Sequence, residues 1–252
     1  MKIIYFTGTG NCLSVAKCFD AELLSIPQMI KNNIYEIEDD VIGIVYPVYA
    51  VSVPDIVRNY LEKCKINANY TFVIATYGFT ACGSLNEMKK LLKSNGNKAD
   101  YYSSLLMVDN YLPFFDIEKQ LKMLNKKNIE NNLKTIIEEI NSRVTKETNC
   151  GWINNLISSI GYKVIKQIEK YTPKMFYVND DCILCGTCKK VCPNNNIEQE
   201  NKNKPIFKNN CTGCLACIHN CPKNAIQMKL QRSKKRFRNS NISLNEIIKS
   251  NN

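Results

Sequence analysis

Ile3-Ile4-Tyr5-Phe6-Thr7-Gly8-Thr9-Gly10-Asn11-Cys12 decides the fold of the first half of this 252-residue chain. Four apolar residues end at a run of hydroxyls and glycines, after which Leu13, Ala16, Phe19 and Leu23 follow at helical spacing. The stretch reads as strand, tight turn, helix. Residues 41–46 repeat the pattern as a buried strand stopped at Pro47. Ser52-Val53-Pro54-Asp55 then reads as a capping-box start for a helix with Ile56, Val57, Tyr60, Leu61 and Cys64 on one face. Residues 71–76 predict a third strand, and Ser84 with Glu87 predicts a capped helix facing inward through Leu85, Met88, Leu91 and Leu92. Residues 101–108 predict a fourth strand and residues 23–26 a weak edge strand. Strands alternating with helices specify an α/β fold with a doubly wound, five-stranded parallel sheet.

Further along, Leu121, Leu124, Leu133, Ile136, Ile137, Ile140 and Val144 describe a long amphipathic helix, broken near Asn125, that closes the sheet. Residues 152–168 carry a second apolar stripe with a polar face of Asn and Ser, which predicts a helical bridge between domains; Trp152 reads as a packing residue. The expected organisation is a sheet domain over residues 1–147, a helical linker over 148–175, a cysteine-rich domain over 176–228 and a basic tail over 229–252.

The turn at Thr7-Gly8-Thr9-Gly10-Asn11-Cys12 follows a buried strand and opens a helix, so its N–H groups and hydroxyls face an anion. It lacks the lysine of a nucleotide triphosphate loop and the GxGxxG spacing of a dinucleotide fold, which points away from ATP and NAD. A terminal phosphate is the expected guest.

Eight of the thirteen cysteines fall in two copies of CxxCxxCxxxCP, Cys182, Cys185, Cys188, Cys192-Pro193 and Cys211, Cys214, Cys217, Cys221-Pro222, offset by 29 residues. Ile197 and Ile226 share the offset, so the repeat extends beyond the thiols and implies a pseudo-twofold domain. Three thiolates two residues apart wrap one corner of a cubane, and the fourth cysteine starts a chain segment that leads to the other cluster. The expected sets are therefore Cys182, Cys185, Cys188 and Cys221 for one [4Fe-4S] cluster, and Cys211, Cys214, Cys217 and Cys192 for its partner. Zinc sites pair a CxxC with a distant second pair, and the proline-terminated repeat fits that badly. Cys18, Cys64 and Cys82 read as small buried or inert thiols, and His219, the one histidine, as a packing or solvated residue rather than a ligand.

With 44% hydrophobic and 23% charged residues, the chain is neither disordered nor an integral membrane protein. The first strand turns to glycine too soon for a secretory signal, and a cytoplasmic location with reduced thiols is expected. Residues 229–252 hold seven Lys and Arg against one acid, +6 of the net +11. No aromatic, base-reading element accompanies this charge, so nucleic acid is not an expected partner. Lys229, Arg232, Lys234, Lys235, Arg236 and Arg238 read instead as an electrostatic clamp between two domains made acidic by their cofactors, or as a docking element, with Phe237 as an apolar anchor. On that reading, removal of the tail leaves cofactor content unchanged.

Residues 176–228 resemble a bacterial two-cluster ferredoxin at all eight ligands and both prolines, and residues 1–147 resemble a flavodoxin. Together with the basic aromatic segment 234–239 they resemble the fused flavodoxin–ferredoxin proteins, sometimes called ferrodoxins. The resemblance implies FMN beside two [4Fe-4S] clusters, with the phosphate on Thr7, Gly8, Thr9, Gly10, Asn11 and Cys12. It implies that the ring lies between the loops Pro47-Val48-Tyr49-Ala50-Val51 and Thr76-Tyr77-Gly78-Phe79-Thr80-Ala81-Cys82-Gly83, with Tyr49, Tyr77 and Phe79 in contact. The implied function is electron transfer with other redox proteins as partners. The alternative is an FMN-dependent reductase of a small molecule fed by the clusters. The sequence shows no acid–base pair beside the loops, which favours the carrier, whereas an open pocket above the flavin favours the enzyme.

Overall fold

A computed structural model describes residues 1–81, 83–148, 160, 163, 171–200 and 203–252. The expected bridge at 152–168, Trp152, Cys82 and Cys150 lie outside the described residues apart from Ile160 and Lys163. Five strands, β1 (Lys2–Tyr5), β2 (Glu22–Ser25), β4 (Val41–Pro47), β6 (Tyr70–Tyr77) and β7 (Tyr101–Leu106), form one wholly parallel sheet in the order β2-β1-β4-β6-β7. This is the flavodoxin-like doubly wound order, with its switch point between β1 and β4. The central strands are buried along nearly their whole length, which is why they read as continuous apolar runs. A small parallel pair of β3 (Glu36–Glu38) and β5 (Lys65–Asn67) has too few apolar residues to show in the sequence pattern.

Helices α2 (Ile26–Lys31), α3 (Asp55–Leu61) and α4 (Ser84–Ser94) cover one face, around Ile4, Ile44, Tyr46, Val73 and Met88. Helices α1 (Asn11–Ala16), α5 (Ile117–Lys122) and α6 (Ile129–Asn141) cover the other. The break between α5 and α6 is a 3-10 turn, Leu124–Lys127, followed by Asn128 at φ 47. Two expected caps take another form. The α3 and α4 N-caps are Pro54 and Gly83, with no side-chain cap. Ser52 and Glu87 instead bond each other across the two helices: Ser52 Oγ donates to Glu87 Oε2 at 2.8 Å, the Val53 N–H donates to the same oxygen at 2.9 Å, and Arg58 pairs with Oε1. A carboxylate with three donors is better satisfied there than at a helix end.

The cysteine-rich region follows as two small antiparallel pairs, β8 (Phe176–Val178) with β11 (Ile226–Met228) and β9 (Ile197–Glu198) with β10 (Ile206–Phe207). Two one-turn helices, α7 (Thr187–Lys190) and α8 (Ala216–His219), complete it. The 29-residue repeat is written in the backbone as well. Leu184, Gly186 and Asn195 have φ of 59°, 71° and 50°, and their counterparts Gly213, Leu215 and Asn224 have 68°, 55° and 50°. The apolar core under α1, α5 and α6 continues without a break into Phe176, Val191, Ile197, Leu215, Ile218 and Met228, so the two regions share one core.

The C-terminal segment is a strap rather than a tail. Phe237, Ile242 and Ile247 are buried, and α9 (Leu244–Asn251) starts in a full capping box of Ser243 and Glu246 and packs on α2. Its far end reaches the sheet: Tyr5 Oη and Ser250 Oγ are 2.8 Å apart, and Ser25 Oγ donates to the Ser250 carbonyl.

Candidate functional site

At the carboxyl ends of β1, β4, β6 and β7 lies a cleft of about 290 Å³. Thr7, Gly8, Thr9, Asn11, Cys12, Pro47, Val48, Tyr49, Ala50, Thr76, Tyr77, Gly78 and Phe79 all line it. Gly10 and Gly83 are not among its lining residues. Gly10, at φ 99°, backs onto the strap, where a Cβ would stand 3.0 Å from Ile242 Cβ. Gly83 caps α4. Cys18 is exposed, so its reading as a buried thiol does not hold; Cys64 is buried.

The turn after β1 is tied from three sides. The Gly10 N–H donates to Thr7 Oγ1 at 3.0 Å, and Asn110 Nδ2 donates to Thr9 Oγ1 at 2.6 Å. From the strap, the Asn239 N–H donates to the Thr9 carbonyl at 2.9 Å, and Asn251 Nδ2 donates to the Thr7 carbonyl at 3.2 Å. The strap thus takes up two carbonyls of the turn, Thr7 Oγ1 takes the Gly10 N–H, and the first amides of α1 have no intrahelical acceptor. The Cys12 side chain points into the core, 3.1 Å from Thr76 Oγ1, and burial pushes its thiol up to about 12, so only its backbone serves the cleft.

The walls are aromatic. Tyr49 meets Phe6 edge-on, and Phe79, 76% exposed, tilts against Phe115. Ala50 and Val51 turn at φ 42° and 62°, unusual for non-glycine residues and strained for the β-branched Val51, at about 1–3 kcal/mol. A fourth loop, which the sequence reading passed over, brings Val108, Asp109, Asn110, Tyr111, Phe114 and Phe115. Asp109 is the one carboxylate among the described lining residues. Its Oδ1 accepts from the Tyr111 N–H at 3.1 Å, and burial raises its proton affinity. Beneath it, Lys127 Nζ donates to the Met107 carbonyl at 2.5 Å and to Gln120 Oε1 at 3.1 Å. The strand-end loops of a doubly wound sheet are where such groups are sought, but a single Asp in a loop and a Lys in a lysine-rich stretch give no local pattern.

The eight repeat cysteines stand in two groups of four. Cys182, Cys185, Cys188 and Cys221 surround one small cavity; Cys192, Cys211, Cys214 and Cys217 surround the other. The fourth cysteine of each copy thus stands with the first three of the other. In each copy the N–H four residues on, Asn196 or Ala225, points at that fourth sulfur, 3.2 Å away. The first group lies near the surface, with Cys185 exposed and Ile183 56% exposed. The second abuts the cleft, and Thr212, Cys214 and Leu215 line both cavities. A Cβ on Gly8 would stand 2.7 Å from the Cys214 carbonyl oxygen, so only glycine admits this approach.

His219 is buried where three segments meet. Its Nδ1 accepts from the Phe237 N–H at 3.1 Å, which leaves the proton on Nε2 to be donated to the Asn110 carbonyl at 2.8 Å. Burial holds the ring neutral, down to about 4. The helix α8, which carries Cys217, is thereby joined to the loop that holds Thr9 and to the strap.

Residues 174–238 match the family of 4Fe-4S dicluster domains. Over 49 residues the chain is 45% identical to the pyruvate synthase subunit PorD of Methanocaldococcus jannaschii, spanning 19% of this chain and 57% of that one. It is 36% identical to PorD of Methanothermobacter marburgensis over 24% of this chain and 72% of that one. An uncharacterized ferredoxin of M. jannaschii is 33% identical over 25% and 86%. Among solved structures, a flavodoxin of Megasphaera elsdenii (16% identity, TM-score 0.30) spans 41% of this chain and 83% of its own. The Trp repressor binding protein of Bacillus subtilis (14%, TM-score 0.30) spans 42% and 84%. Among the described residues no helix is long and apolar enough to cross a membrane. Two-cluster motif, parallel sheet and sequence relatives together assign the chain to the 4Fe-4S dicluster ferredoxins, in a form that carries a flavodoxin-like domain ahead of the ferredoxin domain.

Proposed function

We propose that the chain is an electron-transfer iron–sulfur flavoprotein that relays electrons between two [4Fe-4S] clusters and FMN, with other redox proteins as donor and acceptor. One observation carries the reading: Thr212, Cys214 and Leu215 are at once wall of the four-thiol cavity and wall of the cleft. On this reading Cys192, Cys211, Cys214 and Cys217 hold the inner cluster and Cys182, Cys185, Cys188 and Cys221 the outer one. The outer set, with its exposed cysteine, meets the partner. The working units are 1–147, 148–175, 176–228 and the strap 229–252.

The residues suit the groups. Eight thiols in two fours, each with an N–H directed at its crossed sulfur, match the donor set of two cubanes. The turn after β1 offers amides and no lysine to a phosphomonoester, through Thr7, Gly8, Thr9, Asn11 and Cys12, with Gly10 braced behind. The aromatic slot of Pro47, Val48, Tyr49 and Ala50 facing Thr76, Tyr77, Gly78 and Phe79 suits a flat ring, with Gly83 setting the start of α4. Bound FMN would exchange electrons singly or in pairs, and each cluster one at a time. The chain's own part is to hold the inner thiols against the cleft and to keep the turn rigid. Anaerobic purification followed by iron, sulfide and flavin assay tests the reading: roughly eight irons and one FMN per chain are expected. Four irons, FAD alone, or no flavin after reconstitution with excess FMN would overturn it.

A second reading, an FMN-dependent reductase of a small molecule, gains from the open cleft and from Asp109 on its wall. Turnover of a small acceptor by the reduced, loaded protein with no second redox protein present would favour it.

A further inference from the structure

We propose that Asp109 is the proton-exchanging group of the cleft, giving a proton to the bound flavin as an electron pair arrives from the clusters, so that electron transfer in this chain is coupled to proton transfer. The proposal rests on the FMN reading above and gives that site a chemical role it otherwise lacks. Asp109 stands in the loop after β7, at the carboxyl end of the sheet, and no other carboxylate and no histidine lines the cleft among the described residues. Its side chain is pressed against the slot: a Cβ on Gly78 would lie 2.2 Å from Asp109 Cβ and 2.4 Å from its Cα. Glycine at 78 is therefore required by the aspartate beside it, and the carboxyl is held at the loop that would flank the ring.

The groups around the carboxyl leave both of its protonation states accessible. Oδ1 accepts from the Tyr111 N–H, and the Asn110 N–H also favours the charged carboxyl. The Asp109 N–H donates to Gln120 Oε1 at 3.3 Å, from α5. Lys127, in the turn after α5, is the charged group facing it. That ammonium is already given to the carbonyls of Met107 and Gly78, at 2.5 and 3.4 Å, and to Gln120, all uncharged acceptors. No ion pair joins Lys127 to Asp109 among the described contacts. Tyr111 belongs to the same loop, and from the ferredoxin side His219 is neutral and takes the neighbouring Asn110 carbonyl. Desolvation raises the proton affinity of the carboxyl and outweighs the opposing effects of the Tyr111 N–H, the charge of Lys127 and the Asn110 N–H, in that order. A carboxyl shifted toward neutrality is suited to donate at physiological pH.

The step balances. Two reduced clusters, fed by an external redox protein, each give up one electron. The O–H bond of Asp109 breaks, an N–H bond forms on the ring, and the ring takes two electrons and one proton. The carboxylate regains its proton from water through the open cleft. In the reverse direction it accepts the proton as the pair leaves.

The test uses the full chain loaded with FMN and clusters, with aspartate labelled at the carboxyl carbon. The oxidised protein is titrated by carbon NMR, and Asp109→Asn identifies the signal. A midpoint raised above the ordinary aspartate value of about 3.9 is expected; an ordinary or lower midpoint overturns the proposal, and this arm needs only the wild-type titration if the variant folds poorly. In single-turnover photoreduction, the wild-type rate of flavin reduction should fall as pH rises through that midpoint. Asp109→Asn should be slower by about 100-fold and lose that break. An unchanged rate and pH profile in the variant overturns the proposal while leaving the flavin reading intact. Failure of the wild-type chain to retain FMN brings down the flavin reading, and the proposal with it.

Discussion

Gly8→Ala tests how the two halves of the molecule meet. Gly8 does not have a positive φ, so alanine adds no backbone strain, and the effect is one of contact alone. The new Cβ would lie 2.7 Å from the Cys214 carbonyl oxygen, 3.2 Å from Cys214 Cβ and 3.3 Å from Tyr49 Oη. The first two atoms are fixed by the backbone of the inner thiol segment. Restoring an ordinary carbon–oxygen contact of about 3.3 Å requires the two loops to part by roughly 0.6 Å. Overpacking of this kind costs about 1–3 kcal/mol. At about 2–4 °C per kcal/mol for a chain of this size, the melting temperature should fall by roughly 2–12 °C. Gly96→Ala is the control: φ is +73° with nothing within 4 Å, so it tests left-handed strain far from the cleft. The assays are thermal unfolding under anaerobic conditions and laser-flash photoreduction, which reads transfer between cluster and flavin. Gly8→Ala should melt lower and transfer more slowly, whereas Gly96→Ala should melt lower and transfer normally. If Gly8→Ala keeps both the wild-type melting temperature and the wild-type transfer rate, the close approach of Gly8 and Cys214 does not exist in solution.

Three further outcomes are expected. Cys192→Ser should remove the electron paramagnetic resonance signal of the inner cluster and spare the outer one; loss of the outer signal alone contradicts the crossed assignment. Ending the chain after Arg238 removes the bonds of Asn239 and Asn251 to the turn after β1 together with buried Ile242 and Ile247, so FMN retention should drop and Ile247→Ala by itself should cost about 2–5 kcal/mol in urea unfolding. Lys17 and the backbone and hydroxyl of Ser243 hold the Glu246 carboxyl down to about 2; a carboxyl lowered in the folded state stabilises above its unfolded value of about 4.3 and loses that contribution as pH falls toward 2, so Glu246→Gln should flatten the acid limb of the stability curve in that window.

The sheet was legible because its evidence is local: a buried parallel strand must be an apolar run, and a helix laid against it must show a stripe. The two fours of cysteines were legible for the same reason, since spacing and the 29-residue offset both lie within the chain segment they describe. Features made by distant residues were not. Asn239 bonds to Asn11 across 228 positions, and nothing in the composition of a basic tail announces that pairing. Lys127 sits in a lysine-rich stretch that reads as a solvated face, yet it is 5% exposed because three acceptors converge on its ammonium, two from separate loops and one from α5. Ser52 matched a capping pattern, and the carboxylate of Glu87 on the next helix took its hydroxyl instead. Local pattern fixes elements; which partner a polar side chain finds is decided by the packing of elements far apart in sequence.

The strap also revises what the positive charge at its start does. A clamp between two acidic bodies would leave its arginines directed at carboxylates or cofactors across the interface. Instead the Arg236 guanidinium donates to the carbonyls of Ile226 and Ser233, and Arg238 Nε donates to the Ile242 carbonyl, so Arg236 ties the strap to β11 and Arg238 braces the strap's own path. Exposed ion pairs such as Lys17 with Glu246 contribute about 0–1 kcal/mol and weaken with salt. Phe237, Ile242 and Ile247 are buried to 6%, 3% and 0% exposure, each worth about 1.5–3 kcal/mol, and their contribution does not fade with salt. Apolar burial and hydrogen bonds therefore dominate the attachment. The order of their partners matters for function: Phe237 holds His219 beside the inner thiols, Asn239 and Ile242 hold the turn after β1, and Asn251 bonds both Thr7 of that turn and Val191 beside Cys192. One covalent segment fixes the turn after β1, at one end of the cleft, relative to the inner four thiols. Raising ionic strength should accordingly leave transfer within the chain at its low-salt rate and change only the rate at which separate redox proteins exchange electrons with it.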